Sequence, residues 1–227
     1  LNNFMVVSMK LAAPIAAVCV LIMPENLSTA VMIFGISMVI LFVGRVPFRF
    51  LLTYAGMGLA AVILIASLLL VFKKDDNRVK VWKTRIETFF TGKGDSGEDY
   101  QANQAKIAIS TGKLFGKLPG GSTQRNILPQ SNSDFIYAII VEEYGLFGGT
   151  IIILCYLALM YRGIQIARKC DYAFPTLMVL GLTIMIVFQA FTNMLVAVGL
   201  FPVTGQTLPM ISWGRTSVFV ISFSLGA

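Results

Sequence analysis

From Phe50 to Phe72 the chain runs 23 residues without a charged side chain. A spanning helix needs about 20 mostly apolar residues to cross the hydrocarbon of a bilayer. In hydrocarbon every backbone N–H and C=O must find a partner inside the protein, so such a run reads as a helix. Further apolar runs lie at about 5–23, 27–43, 135–161, 174–200 and 208–227. The predicted fold class is therefore all-α: a polytopic transmembrane helix bundle with six visible spans in one membrane domain, 1–227. One long polar segment, 73–133, interrupts it. Composition agrees, because only 13% of residues are charged where soluble domains carry about 25%.

The formal net charge of +7 raises nucleic acid as a partner, but the placement of charge argues for none. Eleven of the 18 basic residues fall between Lys73 and Arg125, mixed with acids. Most of the others sit in short loops. Loops 44–49 and 162–171 carry Arg45, Arg49, Arg162, Arg168 and Lys169 against one acid, Asp171. Positive charge in short loops marks the cytoplasmic side, and long loops translocate largely regardless of charge. Loops 44–49 and 162–171 are thus expected in the cytoplasm. By alternation Glu25, the segment 73–133 and Phe201–Thr207 are expected outside. No histidine is present, which removes the usual general base and the commonest metal ligand. Cys19, Cys155 and Cys170 have no metal or disulfide spacing. The chain opens at Leu1 almost directly on an apolar run and stops within another, so a piece of a longer membrane protein is expected.

Within the polar segment, KKDDNRVKVWKTRIETFF mixes charge with Trp82, Ile86 and Phe89 and predicts an interfacial helix. Tyr100–Ser110 predicts a short amphipathic helix. Gly112, Gly116, Gly120 and Gly121 with Pro119 then forbid long regular structure.

Asp134 lies where the polar segment meets the fourth span. Ser131 with Asp134 fits a capping pattern before an apolar run. A carboxylate there also suits taking a proton or holding a cation, and the two readings are compatible. Glu142 and Glu143 fall two turns deeper, about 12 Å along the helix. Ionisable groups inside a bilayer point to function or to a buried partner. Arg215 is one candidate partner, and a structural ion pair is the plain alternative. Lys113, Lys117, Gln124 and Arg125 around Gly120-Gly121 suit an anionic head group, or merely the lipid phosphates beside them. Phe201–Ser212 must be an ordered non-helical turn, since it holds two prolines and a glycine.

Three ordered motifs then carry a resemblance. The first is Tyr100-Gln101 with Gln104, Ala108-Ile109, Gly112 and Leu114-Phe115-Gly116. The second is Leu128-Pro129, Ser133-Asp134-Phe135-Ile136 and Glu142-Glu143-Tyr144-Gly145-Leu146. The third is Asn193, Gly199-Leu200, Pro202-Val203-Thr204-Gly205, Leu208-Pro209 and Ile211-Ser212-Trp213-Gly214. Together they resemble the SEDS family (shape, elongation, division and sporulation) of FtsW/RodA-type peptidoglycan polymerases, leaning to the FtsW branch. Gln130, Asn132, Trp213 and Arg215 depart from its usual pattern, and Met23-Pro24-Glu25 keeps an acid where the family usually has Asp. The resemblance implies ten spans, of which these would be the last six.

It also implies an inverting glycosyltransferase that joins lipid II into glycan strands outside the bacterial cytoplasmic membrane, with Asp134 as the essential acid. Gln101, Gln104, Lys113, Gln124, Arg125, Glu142, Thr204 and Ser212 are the expected substrate contacts. Asp134 is also the expected ligand of a divalent cation, Mg²⁺ or Mn²⁺. The implied partners are lipid II, the lipid-linked glycan, a class B penicillin-binding protein acting as transpeptidase, and other division or elongation proteins. This chain alone is expected to be inactive. A flippase for lipid-linked precursors and a non-catalytic division scaffold are the alternative readings.

Overall fold

The computed structural model describes residues 5, 8–23, 26–72, 97–128, 133–213 and 215–226, with side chains at 62–72, 97–99, 126, 215–217, 220 and 225 excepted. Among these residues all regular structure is helical. The α-helices are α1 (Ala13–Ile22), α2 (Leu27–Val43), α3 (Phe48–Phe72), α4 (Gly97–Gly112), α5 (Ile136–Lys169), α6 (Ala173–Val198) and α7 (Arg215–Gly226). A π-turn, Ser8–Ala12, leads into α1, and a 3₁₀ turn covers Gln124–Asn126. Helices α5 and α6, 34 and 26 residues long, are long and apolar enough to cross a membrane. Ser8–Ile22, Leu27–Val43 and Phe48–Ala61 are shorter apolar helices. Glu25, Arg215's side chain, residues 129–132 and the expected interfacial helix after Lys73 lie outside the described residues.

The chain forms two compact units, residues 1–83 with 171–181 and residues 84–170 with 182–227. In the first, Leu41, Val46, Leu51 and Tyr54 make the buried cluster, with Leu11, Ile15 and Met38 against it. The expected first span is not one regular helix. Pro14 stands at the start of α1 and has no N–H for the bond to the turn before it, so the backbone widens to a π-turn there. Asn26 caps α2 by accepting the Thr29 N–H at 3.1 Å. The other end of α2 closes by a Schellman motif, Val46 N–H to Leu41 O at 3.1 Å and Arg45 N–H to Phe42 O at 3.0 Å. Val46 and Leu41 share the buried cluster, which supplies the apolar contact this motif uses. It places Arg45 at φ 61.

In the second unit α4 packs on α5. Ala105, Ala108, Leu128, Phe135, Ala138, Ile139, Val141, Ile186, Ala190, Ala197 and Leu208 form its core. Two boundaries differ from expectation. Helix α5 continues to Lys169, beyond the expected end at 161, because 162–169 contains no residue that stops a helix and Arg168 and Lys169 suit its C-terminal dipole. Helix α7 begins at Arg215, seven residues after the expected 208, because Leu208–Ser212 is engaged elsewhere.

Helix α5 is broken at Gly145, which has φ 72 and ψ −173. An intact helix would pair Glu142 O with Leu146 N–H and Glu143 O with Phe147 N–H. Here the loop after α4 supplies those partners. Lys117 and Leu118 N–H donate to Glu142 O and Glu143 O at 2.9 and 3.0 Å. Leu146 and Phe147 N–H donate to Lys113 O and Leu114 O at 2.9 and 3.5 Å. Residues 113–118 are thus threaded into the gap, and these four backbone groups of α5 all find partners there. The approach demands glycine. A Cβ at Gly116 would overlap the Glu143 carbonyl, and one at Gly145 the Leu114 carbonyl.

Candidate active site

Asp134 and Phe135 precede α5, with Phe135 as N-cap and no side-chain capping bond. The capping expectation for Asp134 is therefore not met on its own side: the acid stands outside the first turn, and Ser131 is not described. The Asp134 carboxylate is half-buried. Its Oδ1 accepts from Ser133 Oγ at 2.8 Å. Its Oδ2 faces Gly205, where an added Cβ would lie 3.9 Å away.

The main chain beneath it is held from two other segments. Asn193 Nδ2, on α6, donates to Asp134 O at 2.7 Å and to Gln206 O at 2.6 Å. Ser212 Oγ donates to Ser133 O at 2.6 Å and accepts the Leu208 N–H at 2.7 Å. Gln189 Nε2 donates to Thr207 O at 3.1 Å, and Tyr156 OH, from α5, donates to Pro209 O. The turn 202–212 is thus ordered, as expected, and it delivers Gly205 to the carboxylate.

Glu142 is fully buried. Lys117 Nζ pairs with its Oε1 at 2.6 Å. Thr123 Oγ1 and N–H donate to the same oxygen at 2.9 and 3.3 Å. Ser122 Oγ and Gln124 N–H donate to Oε2 at 2.5 and 3.3 Å. A carboxylate offers about four lone-pair sites, so these donors leave it nothing for a substrate. Two expectations change here. Glu142 is an anchor for the loop 117–124 rather than a substrate contact, and its partner is Lys117, which cannot then serve as a free anion binder. This is the structural ion pair, one of the two readings open from sequence.

The other named residues fall around these two centres. Gln101 and Gln104 are half-buried on α4, and Lys113 and Arg125 are exposed on the anchored loop. Gln124 and Thr204 are buried, and Gln124 Oε1 and Thr204 Oγ1 have no partner among the described residues, as is true of Asn193 Oδ1 and Glu143 Oε1. Ser212 is committed to holding backbone. Asn193, Gly205, Ser122 and Thr123 were not expected at the site. Polar residues next to Gly and Pro, in an apolar chain, were the available signal.

No three acidic, Cys or His side chains converge among the described residues, so there is no all-protein metal cage. One carboxylate does fit the pattern in which Mg²⁺ is shared between a protein acid and substrate phosphates.

A carboxylate fixed at the start of a long apolar helix, with a basic loop anchored further along the same helix on Glu142, is the arrangement of a membrane-type helical protein. The comparisons say which. Residues 2–227 match the FtsW/RodA/SpoVE family model, described as cell cycle protein. The chain belongs to this family. It is 31% identical to the probable peptidoglycan glycosyltransferase FtsW of Enterococcus hirae, over 92% of the chain and 54% of that protein. It is 36% identical to the same-named protein of Hydrogenovibrio crunogenus, over 93% and 54%. It is 30% identical to stage V sporulation protein E of Bacillus subtilis, over 93% and 56%. A chain of the solved structure described as "Structural coordination of polymerization and crosslinking by a peptidoglycan synthase complex" superposes with a TM-score of 0.71 at 25% identity, covering 96% of this chain and 59% of that one. The chain thus spans about half the length of the curated relatives it matches.

Proposed function

We propose that this chain carries the acid of a peptidoglycan glycosyltransferase that polymerises lipid II at the outer face of the bacterial cytoplasmic membrane. The observation that carries the reading is the fixed Asp134 carboxylate against Gly205 at the polar end of α5, in a chain whose relatives are named for that activity. Elongation requires a sugar hydroxyl to attack the anomeric carbon of a polyprenyl-pyrophosphate-linked donor. A new C–O bond forms as the bond to the pyrophosphate oxygen breaks, and direct displacement inverts the centre. Asp134 takes the hydroxyl proton. The pyrophosphate leaves with its electron pair, its charge offset by Lys113 and Arg125. Alternatively, Asp134 would hold a divalent cation, which would lower the hydroxyl's pKa and offset the pyrophosphate charge. Gln101, Gln104, Gln124 and Thr204 remain the proposed substrate contacts.

The six-span arrangement, with 73–133 outside and 44–49 and 162–171 inside, is part of the same reading. So is a transpeptidase partner, supported by the complex in which the structural neighbour occurs. The FtsW-named relatives favour the division branch. A lipid carrier would rest on Glu142, Glu143 and Arg215 as a polar path, and Glu142 is sealed and committed. The test is polymerisation of lipid II by the full-length protein. Asp134→Asn should abolish polymer while the protein still folds, and near-normal polymer from a folded variant would overturn the assignment.

A further inference from the structure

We infer that Asn193 is a positioning residue for the reaction: its carboxamide ties the main chain of Asp134 to the Phe201–Ser212 turn at Gln206 and so sets where the carboxylate points. The inference rests on the glycosyltransferase reading of Asp134. Asn193 lies on α6, 59 residues from Asp134, and is 1% exposed. Its Nδ2 donates to two carbonyl oxygens from different segments, Asp134 O at 2.7 Å and Gln206 O at 2.6 Å. Two carbonyl oxygens repel, and drawing both onto one nitrogen requires a group with two N–H bonds. Serine and threonine have one donor, and aspartate has none. The orientation of the amide is fixed by the same argument, because the reversed group would set Oδ1 against both carbonyls.

The cost of this arrangement is visible. Asn193 Oδ1 is buried without a partner among the described residues, and buried polar atoms are nearly always paired. A side chain present only to fill space would be apolar. What the bridge secures is the carboxylate. Ser133 O is held by Ser212 Oγ, Asp134 O by Asn193, and Oδ1 by Ser133 Oγ. The second oxygen then faces Gly205, one residue before the Gln206 carbonyl that Asn193 also holds. Acid and turn are located by a single carboxamide.

The experiment is steady-state polymerisation of lipid II by the full-length protein, with kcat and KM determined for wild type, Asn193→Ala, Asn193→Leu and Asp134→Asn. A misplacement of about 1 Å costs on the order of 100-fold in rate. Asn193→Ala should therefore lower kcat roughly 10- to 100-fold and leave KM within about twofold. A binding or purely structural role would move KM or the folded fraction instead. Wild-type kcat in folded Asn193→Ala, or a loss carried by KM alone, overturns the inference. If the alanine variant does not fold, Asn193→Leu, of similar size and without donor or charge, is measured in the same way and decides on the same criteria. Asp134→Asn separates the two failures. If it still polymerises, the assignment of Asp134 falls, and if the wild type makes no polymer the glycosyltransferase reading itself falls. If Asp134→Asn is inactive while the Asn193 variants keep kcat, only the positioning inference falls.

Discussion

Two carboxylates within nine positions have opposite fates, and burial decides which. Asp134 keeps an accessible carboxylate and is steadied through its backbone. Glu142 is fully buried and is steadied through the carboxylate itself. Sequence singled out both, because an acid beside or within an apolar run is costly. It could not assign Glu142, since the donors come from residues 117–124, whose path was set only by glycines. The geometry makes Glu142 the hub and Lys117 one spoke. Glu142→Gln puts an amide nitrogen among groups that are all donors and should cost about 3–5 kcal/mol. Lys117→Met leaves the hydroxyl and N–H donors in place and should cost about 1–3 kcal/mol. Thermal unfolding of the two full-length variants in detergent measures the order, and a larger loss for Lys117→Met would contradict the hub.

The threading of residues 113–118 through the break in α5 governs the elements. Helix existence was legible from apolar runs, and 27–43 matched residue for residue. The break at Gly145 was not legible, because one glycine in an apolar run is ordinarily tolerated. Nor were the late start of α7 and the π-turn before Pro14, both of which depend on neighbouring backbone. The Gly112, Gly116, Gly120 and Gly121 cluster read as a single breaker, yet its members differ. Gly112 and Gly116 face backbone carbonyls of α5 at contact, as Gly145 of α5 faces Leu114 O in return, whereas Gly120 has positive φ and nothing within 4 Å. Gly116→Ala and Gly145→Ala should each cost more than about 4 kcal/mol, and Gly120→Ala only about 1–2 kcal/mol. Folded yield and melting temperature of the three variants would show the split; three equal losses would refute the threading.

At the scale of the whole molecule, the family and the apolar helices were readable before any geometry, and the sidedness of the loops still rests on counted charge. It has a direct check. In a background without Cys19, Cys155 and Cys170, an Arg125→Cys thiol should react with an impermeant maleimide on intact cells, since Arg125 is an exposed charged residue away from the threaded break. Arg45→Cys should react only after permeabilisation, and the reverse pattern would invert the topology. The threaded break also bears on how the protein folds. Hydrocarbon offers no partners to exposed backbone groups. Broken as it is but without residues 113–118, α5 would leave Glu142 O, Glu143 O and the Leu146 and Phe147 N–H groups unpaired. Alone it would gain by closing into one continuous helix. The break and the docked loop are therefore one unit: residues 113–118 and the broken turn of α5 form together or not at all.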